Sequence, residues 1–461
     1  MSVLAGYIVP HPPLIVPDVG GGQEHKIQKT IDAYQTIAAE IRDLAPDTIV
    51  VATPHSIMYR DYIHVSPGAS ARGDLKRFGD TKTELRISYD QELVNELGIC
   101  AARNGIPAGS LGEKDKNLDH GILVPLWFLQ QELKDVQWVR TSISGLSALD
   151  HYRFGKCIAE VAADLDRRVV VVASGDLSHR LSDQGPYDFS EEGPVFDQEV
   201  TAAMESGDFL KFLSFPEEFC EAAGECGLRS IQIMAGALDG HTVEPRLLSY
   251  EGTFGVGYAV ASFLVTGVSR ERCFDLQKES SLTQELAKLK SEESEYVRLA
   301  RRALETYVTS RKTIERPTDL SVPLTEEKAG VFVSLKKDGQ LRGCIGTIEP
   351  VEACIADEII RNAISAGVGD PRFDPVTKKE LPELVYSVDV LGKAEPIEDL
   401  SQLDVIRYGV IVSKGRKRGL LLPNLEGVRT PQQQVEIALQ KAGIDPKDDF
   451  RMERFEVVRH K

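Results

Sequence analysis

Long apolar runs are missing from this sequence of 461 residues. No stretch approaches the ~18 consecutive apolar residues of a membrane-spanning helix, and residues 1–10 lack the basic start and the small-residue cleavage site of a secretory signal. The sequence therefore predicts a cytoplasmic protein that does not act at a membrane.

Cysteine and positive charge are also in short supply. The seven cysteines are scattered and include no C-x-x-C pair, which excludes a disulfide framework, a zinc ribbon and a cysteine-ligated iron–sulfur cluster of the usual spacing. The 54 Lys and Arg stand against 71 Asp and Glu, a net charge of −17. Because such a chain repels a polyanion overall, we expect no nucleic-acid partner.

What the sequence does contain is a repeated alternation of strand-like and helix-like segments in its first half. Short apolar, largely β-branched runs occur at 4–9, 48–52, 138–142 and 169–173, and longer segments such as 28–43 and 147–166 separate them. This alternation predicts an α/β fold, with a central sheet and flanking helices.

The pattern changes near residue 267, and the length itself allows about two or three domains. We predict a first domain at 1–267, a charged linker at 268–289 and a smaller α+β domain at 290–461. Within the second domain, strands are expected at 330–335, 383–390, 409–412 and 419–422, with an amphipathic helix at 431–442.

Histidine is concentrated in the first domain, where four histidines occur in the motifs VPHPPL, TPHS, LDHG and SGDLSH: His11, His55, His120 and His179. Each is placed where a predicted strand gives way to a loop. Ligands bind at the carboxyl ends of strands in open α/β sheets, so these imidazoles are expected to converge. A single strand-end histidine is more often a hydrogen-bonded loop or core residue, and it is the set of four that favours a site.

These four motifs, in this order across about residues 1–265, resemble the LigB-like superfamily of class III extradiol ring-cleavage dioxygenases. The resemblance implies that His11 and His55 bind a non-haem ferrous ion. It also implies that His179 acts as an acid/base and that His120 lies beside the oxygen or substrate site. The matching fold is the α/β sheet already predicted.

The third metal ligand departs from the ring-cleaving pattern, because Gly227 stands where that family has a glutamate. The string CGLRSI is similar to the Memo branch of the superfamily, in which a cysteine accompanies the histidines. We therefore predict Cys226 as the third ligand, with Glu225 as the second choice and a buried packing role as the alternative for Cys226. Thiolate and imidazole suit Fe(II), our first choice, and also Zn(II) or copper.

Asp176 lies three residues before His179. A carboxylate there is suited to orient the catalytic imidazole, although a turn or helix-cap aspartate is an equal alternative. The sequence leaves both roles open.

The second half of the chain carries the strings QLRGCIGT and GDPRFDP, which resemble the AMMECR family over about residues 290–461. Arg342, next to Gly343, offers a guanidinium for a carboxylate or phosphate. Cys344 would be a nucleophile if Arg342 lowered its pKa. A structural ion pair for Arg342 and a buried strand position for Cys344 are the alternatives.

The combination of the two domains resembles the fused proteins of the AmmeMemoRadiSam system, which implies a radical SAM protein as a partner in trans. We predict a metal-dependent oxidoreductase similar to extradiol dioxygenases, acting on a small-molecule or peptide substrate. The alternatives are a non-catalytic metal-binding or scaffold protein of the same system and a metal-dependent hydrolase.

Overall fold

The computed structural model describes residues 2–114, 117–337, 339–425 and 427–461. The chain divides into two compact units, Met1–Ser280 and Ser281–Lys461. The segment 268–289, predicted as a linker, is largely helical, because the helix Phe274–Glu292 runs through it.

The first unit is built from ten strands and ten α-helices among its described residues, the last helix being the one that reaches Glu292. The strands are β1 Val3–Val9, β2 Thr48–Thr53, β3 Ile63–His64, β4 Ser70–Asp74, β5 Glu84–Ser88, β6 Ala108–Gly109, β7 Gln137–Ser142, β8 Val169–Ser174, β9 His241–Glu251 and β10 Tyr258–Val268. The helices are α1 Pro17–Gly20, α2 Gln28–Leu44, α3 Gln91–Arg103, α4 His120–Leu129, α5 Ala148–Asp164, α6 Glu192–Ser206, α7 Phe209–Phe212, α8 Glu217–Ala223, α9 Leu228–Ala237 and α10 Phe274–Glu292.

The central sheet has the strand order β7-β2-β8-β1-β10-β9. Strands β7, β2, β8 and β1 are parallel, and β10 and β9 are antiparallel additions. Strand β8 is buried along its whole length, because helices cover both faces of the sheet. Its alternate residues enter two separate cores: Val169 and Val171 pack with α3, α5, α6 and α9, whereas Val170 and Val172 pack with α2 and α4.

The parallel strands end level with one another. Val9 of β1 pairs with Ser174 of β8, and Ala52 of β2 pairs with Ala173 of β8. The residues that follow these three strands therefore meet at one edge of the sheet, where α/β proteins bind their ligands.

The second unit contains a seven-stranded antiparallel sheet of order β12-β11-β13-β17-β15-β16, with β14 paired to β17. Its strands are β11 Val331–Lys337, β12 Gln340–Gly346, β13 Val385–Leu391, β14 Glu395–Ile397, β15 Tyr408–Lys414, β16 Lys417–Leu421 and β17 Arg451–His460; its helices are α11 Glu295–Ser310, α12 Val322–Glu326, α13 Ile355–Val368 and α14 Pro431–Ala442. Helices α11 and α13 pack on β11 and β13, and α14 packs on β15 and β16.

The predicted fold class, an α/β domain followed by an α+β domain, is confirmed. Among the described residues, no helix is long and apolar enough to span a bilayer.

Candidate metal centre

Three predicted ligands from distant parts of the first unit lie together. His11 follows β1, His55 follows β2, and Cys226 precedes α9. The Nε2 atoms of His11 and His55 are 2.9 Å apart, and the Cys226 Sγ lies 3.7 Å from His11 Nε2. One ligand atom from each of the three residues falls within 4.8 Å of the others.

These spacings fit a bound cation. Two nitrogen ligands at ~2.1 Å from one ion, with bonds at a right angle, lie about 3 Å apart, which is the separation of the two imidazole nitrogens. Sulfur bonds are longer, so the thiol is expected somewhat farther away, as it is. Imidazole and thiolate together form a donor set that iron, zinc and copper accept.

His11 is oriented by the last residue of β8. The Ser174 hydroxyl donates to the carbonyl of Gly121, so its oxygen is available to accept a hydrogen bond from His11 Nδ1, which lies 3.0 Å away. This arrangement places the imidazole proton on Nδ1 and leaves the lone pair of Nε2 directed at His55 and Cys226. The His11 side chain is 2 % exposed, so the orientation is held by packing as well.

Cys226 reaches the cluster because the backbone at Gly227 is in contact with the backbone at Gly175. A Cβ added at Gly175 would overlap Gly227 Cα, and one added at Gly227 would lie 3.1 Å from Gly175 and from the Asp176 carbonyl oxygen. The Cys226 amide donates to that same carbonyl at 3.3 Å. A glutamate at 227, as in the ring-cleaving pattern, would therefore require this contact to open.

Glu225, the second choice for the third ligand, is engaged elsewhere. Its carboxylate accepts the Leu228 amide at 2.7 Å, at the beginning of α9. The three-residue cluster therefore consists of His11, His55 and Cys226, without Glu225.

His179 and Asp176 lie beside the three-residue cluster, but they are arranged differently from the expectation. His179 Nδ1 donates to the Gly224 carbonyl at 2.7 Å, which leaves Nε2 unprotonated. Asp176 accepts the His11 backbone amide at 2.7 Å. Its second oxygen is 3.9 Å from His11 Nε2 and 4.0 Å from His179 Nε2. A backbone carbonyl, rather than Asp176, orients the His179 ring, and Asp176 stands between the two histidines.

His120 also reaches the site, though not from a strand end. It is the first residue of α4, and its ring stacks on His55 with centroids 4.1 Å apart. The expectation of a preceding strand was wrong here because Asn117–Asp119 approach α4 as a loop, in which Asp119 accepts a hydrogen bond from Thr53 at 2.8 Å. His120 nevertheless lies beside the cluster, because its ring stacks on that of His55.

Burial keeps the imidazoles neutral. It lowers the pKa of His11 well below its ordinary value, lowers that of His55 and His179, and lowers the pKa of His120 to about 4. Neutral imidazoles present lone pairs to a metal at physiological pH.

Burial also disfavours ionisation of the acids at the site. It raises the pKa of Asp176 and of Glu225 to about 7, and raises that of the Cys226 thiol. A divalent cation among these groups would offset their negative charge and favour the thiolate.

Several residues at the site were not foreseen from the sequence. The Ser174 hydroxyl orients the His11 ring, and the Gly224 carbonyl orients the His179 ring. The aromatic rings of Phe78 and Tyr187 contact the rings of His120 and His179, with centroid distances of 5.4 and 5.5 Å respectively. Both rings are unusually exposed, Phe78 at 39 % and Tyr187 at 55 %. The position of Ser174 at the end of a strand, two residues before Asp176, was the one available signal.

The predicted residues of the second unit separate into two environments. Arg342 forms a two-point ion pair with Glu380, through Nε at 2.7 Å and Nη2 at 3.4 Å. A Cβ at Gly343 would overlap the Ala366 carbonyl, so this glycine permits close packing on α13. Cys344 instead faces a cavity, with its Sγ 3.2 Å from the Ser334 hydroxyl. The guanidinium expected to bind an anion is thus already paired with a carboxylate.

Comparison with known proteins agrees with this arrangement. Residues 5–261, more than half of the chain, match the family model described as the catalytic LigB subunit of aromatic ring-opening dioxygenase. The chain therefore belongs to that family. Residues 297–460 match the AMMECR1 family model, which confirms the predicted combination of domains.

Relatives share this architecture in whole or in part. A protein of Clostridium acetobutylicum is 41 % identical over the full length of both chains. A protein of Thermotoga maritima is 49 % identical over 37 % of this chain and 98 % of its own. A crystal structure of an uncharacterised Pyrococcus horikoshii protein is 37 % identical, covers 36 % of this chain and 88 % of that chain, and has a TM-score of 0.34.

We predict that Ser174→Ala lowers the affinity of the cluster for a divalent metal by roughly 10- to 100-fold, as is usual when the partner that orients a ligand histidine is removed. The matched control is Ser262→Ala, an equally buried serine in β10 whose hydroxyl has no partner among the described residues. Anaerobic titration of both variants measures the dissociation constants. Equal affinities would show that Ser174 does not prepare His11.

Gly175→Ala should separate the loop after β8 from the start of α9, because the new methyl group would overlap Gly227. We expect loss of stoichiometric metal binding together with a lower unfolding midpoint. Gly267→Ala is the control, since a Cβ there meets its nearest atom only at 3.8 Å. Metal analysis and thermal unfolding of both variants test this; normal metal content in Gly175→Ala contradicts it.

Proposed function

We propose that the first unit is a metal-dependent oxidoreductase that holds Fe(II) through His11, His55 and Cys226 and uses dioxygen to oxidise a small organic molecule or a peptide. The observation that carries the proposal is the convergence of these three side chains within 4.8 Å. The match to the catalytic subunit of ring-opening dioxygenases supports the same class of chemistry.

When bound, the ferrous ion would supply the redox chemistry and a Lewis acid for substrate oxygens. The protein's own residues bind, orient and move protons. His179 is the proton-transfer group, because its Nδ1–H is fixed on the Gly224 carbonyl and its Nε2 remains free to take a proton from a substrate hydroxyl. Asp176, 4.0 Å from Nε2, stabilises the imidazolium that results when a bound cation has favoured its carboxylate form.

The rings of Phe78 and Tyr187 flank the histidines. Phe78 packs edge-on against His120, and Tyr187 packs edge-on against His179. Exposed aromatic rings beside a cluster of polar groups favour a substrate with a planar or apolar body, because the rings remove that body from water.

We also propose that the protein acts in the cytoplasm with a radical SAM protein. The resemblance of the two-domain combination to the AmmeMemoRadiSam proteins supports this, and the match of residues 297–460 to the AMMECR1 model agrees with it. Mixing the two purified chains under anaerobic conditions, followed by size-exclusion chromatography, tests whether a complex forms.

Replacing both imidazole ligands, His11→Ala with His55→Ala, should abolish stoichiometric Fe(II) binding while the fold is retained, because both residues lie beyond the ends of their strands. The control replaces two histidines outside the cluster, His25→Ala with His241→Ala. Metal content after anaerobic reconstitution is the measurement, with circular dichroism as the check on folding. Unchanged iron content in the His11 and His55 variant would remove these residues from the site.

His179→Ala should retain the metal and lose roughly 10²- to 10⁴-fold in turnover, the usual contribution of a positioned acid/base group. The assay is oxygen uptake with ortho-diphenols, beginning with catechol. Ester hydrolysis without oxygen uptake would identify a metal-dependent hydrolase instead. Tight metal binding with neither reaction, across small molecules and peptides, would favour a metal-binding or scaffold protein.

A further inference from the structure

The second unit contains a cavity of about 980 Å³, formed entirely by residues 286–461. We call it the basic cavity. Strands β11, β12, β13 and β16 contribute to its walls, as do the end of α10 and the residue Lys441 in α14. Its volume is at the upper end of the range of small-molecule sites.

Positive charge dominates the lining, although the chain as a whole is strongly negative. The cationic residues are Lys290, Arg301, Lys336, Arg372, Arg418, Lys441, Arg459 and Lys461, whereas Glu293 and Asp389 are the acidic residues in the described lining. Both acids are already paired: Glu293 with Arg301, and Asp389 with Arg459 through two hydrogen bonds of 2.7 and 2.9 Å. Arg372 and Arg418 form ion pairs with Asp370 and Glu349, which lie outside the described lining. The excess positive charge of the cavity therefore rests mainly on its lysines.

One part of the lining is rigidly built around Cys344. Asp370 accepts the Cys344 amide at 2.9 Å and holds the Arg372 guanidinium at 2.7 and 2.9 Å. Arg372 in turn donates to the Cys344 carbonyl at 3.0 Å. This arrangement fixes a guanidinium beside the thiol at the cavity wall. Burial, together with the nearby Arg372 charge, keeps the pKa of Lys441 below its ordinary value, as expected for two cations that lie close together.

Much of the remaining lining is apolar. Phe332, Leu341, Ile348, Leu420, Leu422 and Leu425 line the cavity, and the Leu341 side chain is 40 % exposed. Among the described residues, Lys336 and Lys441 have no carboxylate within ion-pair distance, so two cations next to this apolar surface remain available to a ligand.

We propose that the basic cavity binds an organic anion, with its carboxylate, phosphate or sulfonate at Lys336 and Lys441 and its apolar body against Phe332 and Leu420. Ammonium groups that lack a carboxylate partner among the described residues suit an oxyanion, and the apolar wall provides the burial that a free inorganic anion cannot use. The site is independent of the histidine cluster and does not rest on the oxidoreductase proposal.

The test uses the full chain and the fluorescent sulfonate 8-anilinonaphthalene-1-sulfonate. We expect one saturable site. The double variant Lys336→Gln with Lys441→Gln should weaken binding roughly tenfold or more, because it removes the charge-assisted contacts to the anion. The control Lys312→Gln with Lys379→Gln removes the same charge from exposed positions outside the cavity and should leave the affinity unchanged.

Alkylation by iodoacetamide locates the probe. At a probe concentration about ten times Kd, roughly 90 % of the sites are filled, so alkylation of Cys344 should slow about tenfold. Cys273, a partly exposed cysteine of the first unit, is the internal control and should react at the same rate. Decanoate and decyl phosphate should displace the probe, seen as loss of its fluorescence, while Cys344 stays protected because they occupy the same cavity. Their relative strengths as competitors distinguish carboxylate from phosphate recognition.

Three outcomes would overturn the proposal. One is binding of the uncharged analogue N-phenyl-1-naphthylamine as tightly as the sulfonate, with decanol competing as well as decanoate. The second is sulfonate binding that leaves Cys344 unprotected. The third is the absence of binding by the sulfonate and both decyl anions up to about 1 mM, the weak limit of a specific site.

Discussion

The candidate metal centre depends on the level ends of three parallel strands. Strands β1, β2 and β8 are paired so that their last residues, Val9, Thr53 and Ser174, lie at one edge of the sheet. A functional residue follows each strand within a few positions: His11, His55 and Asp176. A shift of one residue in any pairing would reverse which side chains face each core, so the buried strands that fix the register also fix the distance between the ligands.

Burial is the second constraint, and it shifts the pKa values of the imidazoles and of the acids at the site in opposite directions. It favours neutral imidazoles and it disfavours the anionic forms of Asp176, Glu225 and Cys226. Without a cation, the stable form of the cluster is a set of uncharged ligands held by Ser174 and by backbone groups. Preorganised ligands lose little conformational freedom when a metal arrives, which raises affinity.

Much of the fold and part of the site could be read from the sequence. Apolar, largely β-branched runs located β1, β2, β7 and β8, because strands covered on both faces are rich in apolar residues. The capped helix Pro431–Ala442 has the bounds that were expected. The two ligand histidines, His11 and His55, could be predicted from the sequence because they follow such strands within two residues.

The remaining features depend on contacts between segments far apart in the chain. The Gly224 carbonyl that orients His179 lies 45 residues away from it. The Arg342 guanidinium is paired with Glu380, 38 residues away, which nothing in the LRGCIG string reveals. The cations of the basic cavity come from both ends of the second unit, from Lys290 to Lys461, so no local sequence motif predicts the cavity.

The contact between Gly175 and Gly227 has a consequence for how this branch of the family can change over generations. A glutamate at 227 needs space that the backbone of 175 occupies, and removing Cys226 first would leave the centre short of a ligand. Moving the third ligand to position 227 therefore requires a coordinated rearrangement of two loops rather than one codon change. In this architecture, random substitution at position 227 alone does not restore the glutamate ligand.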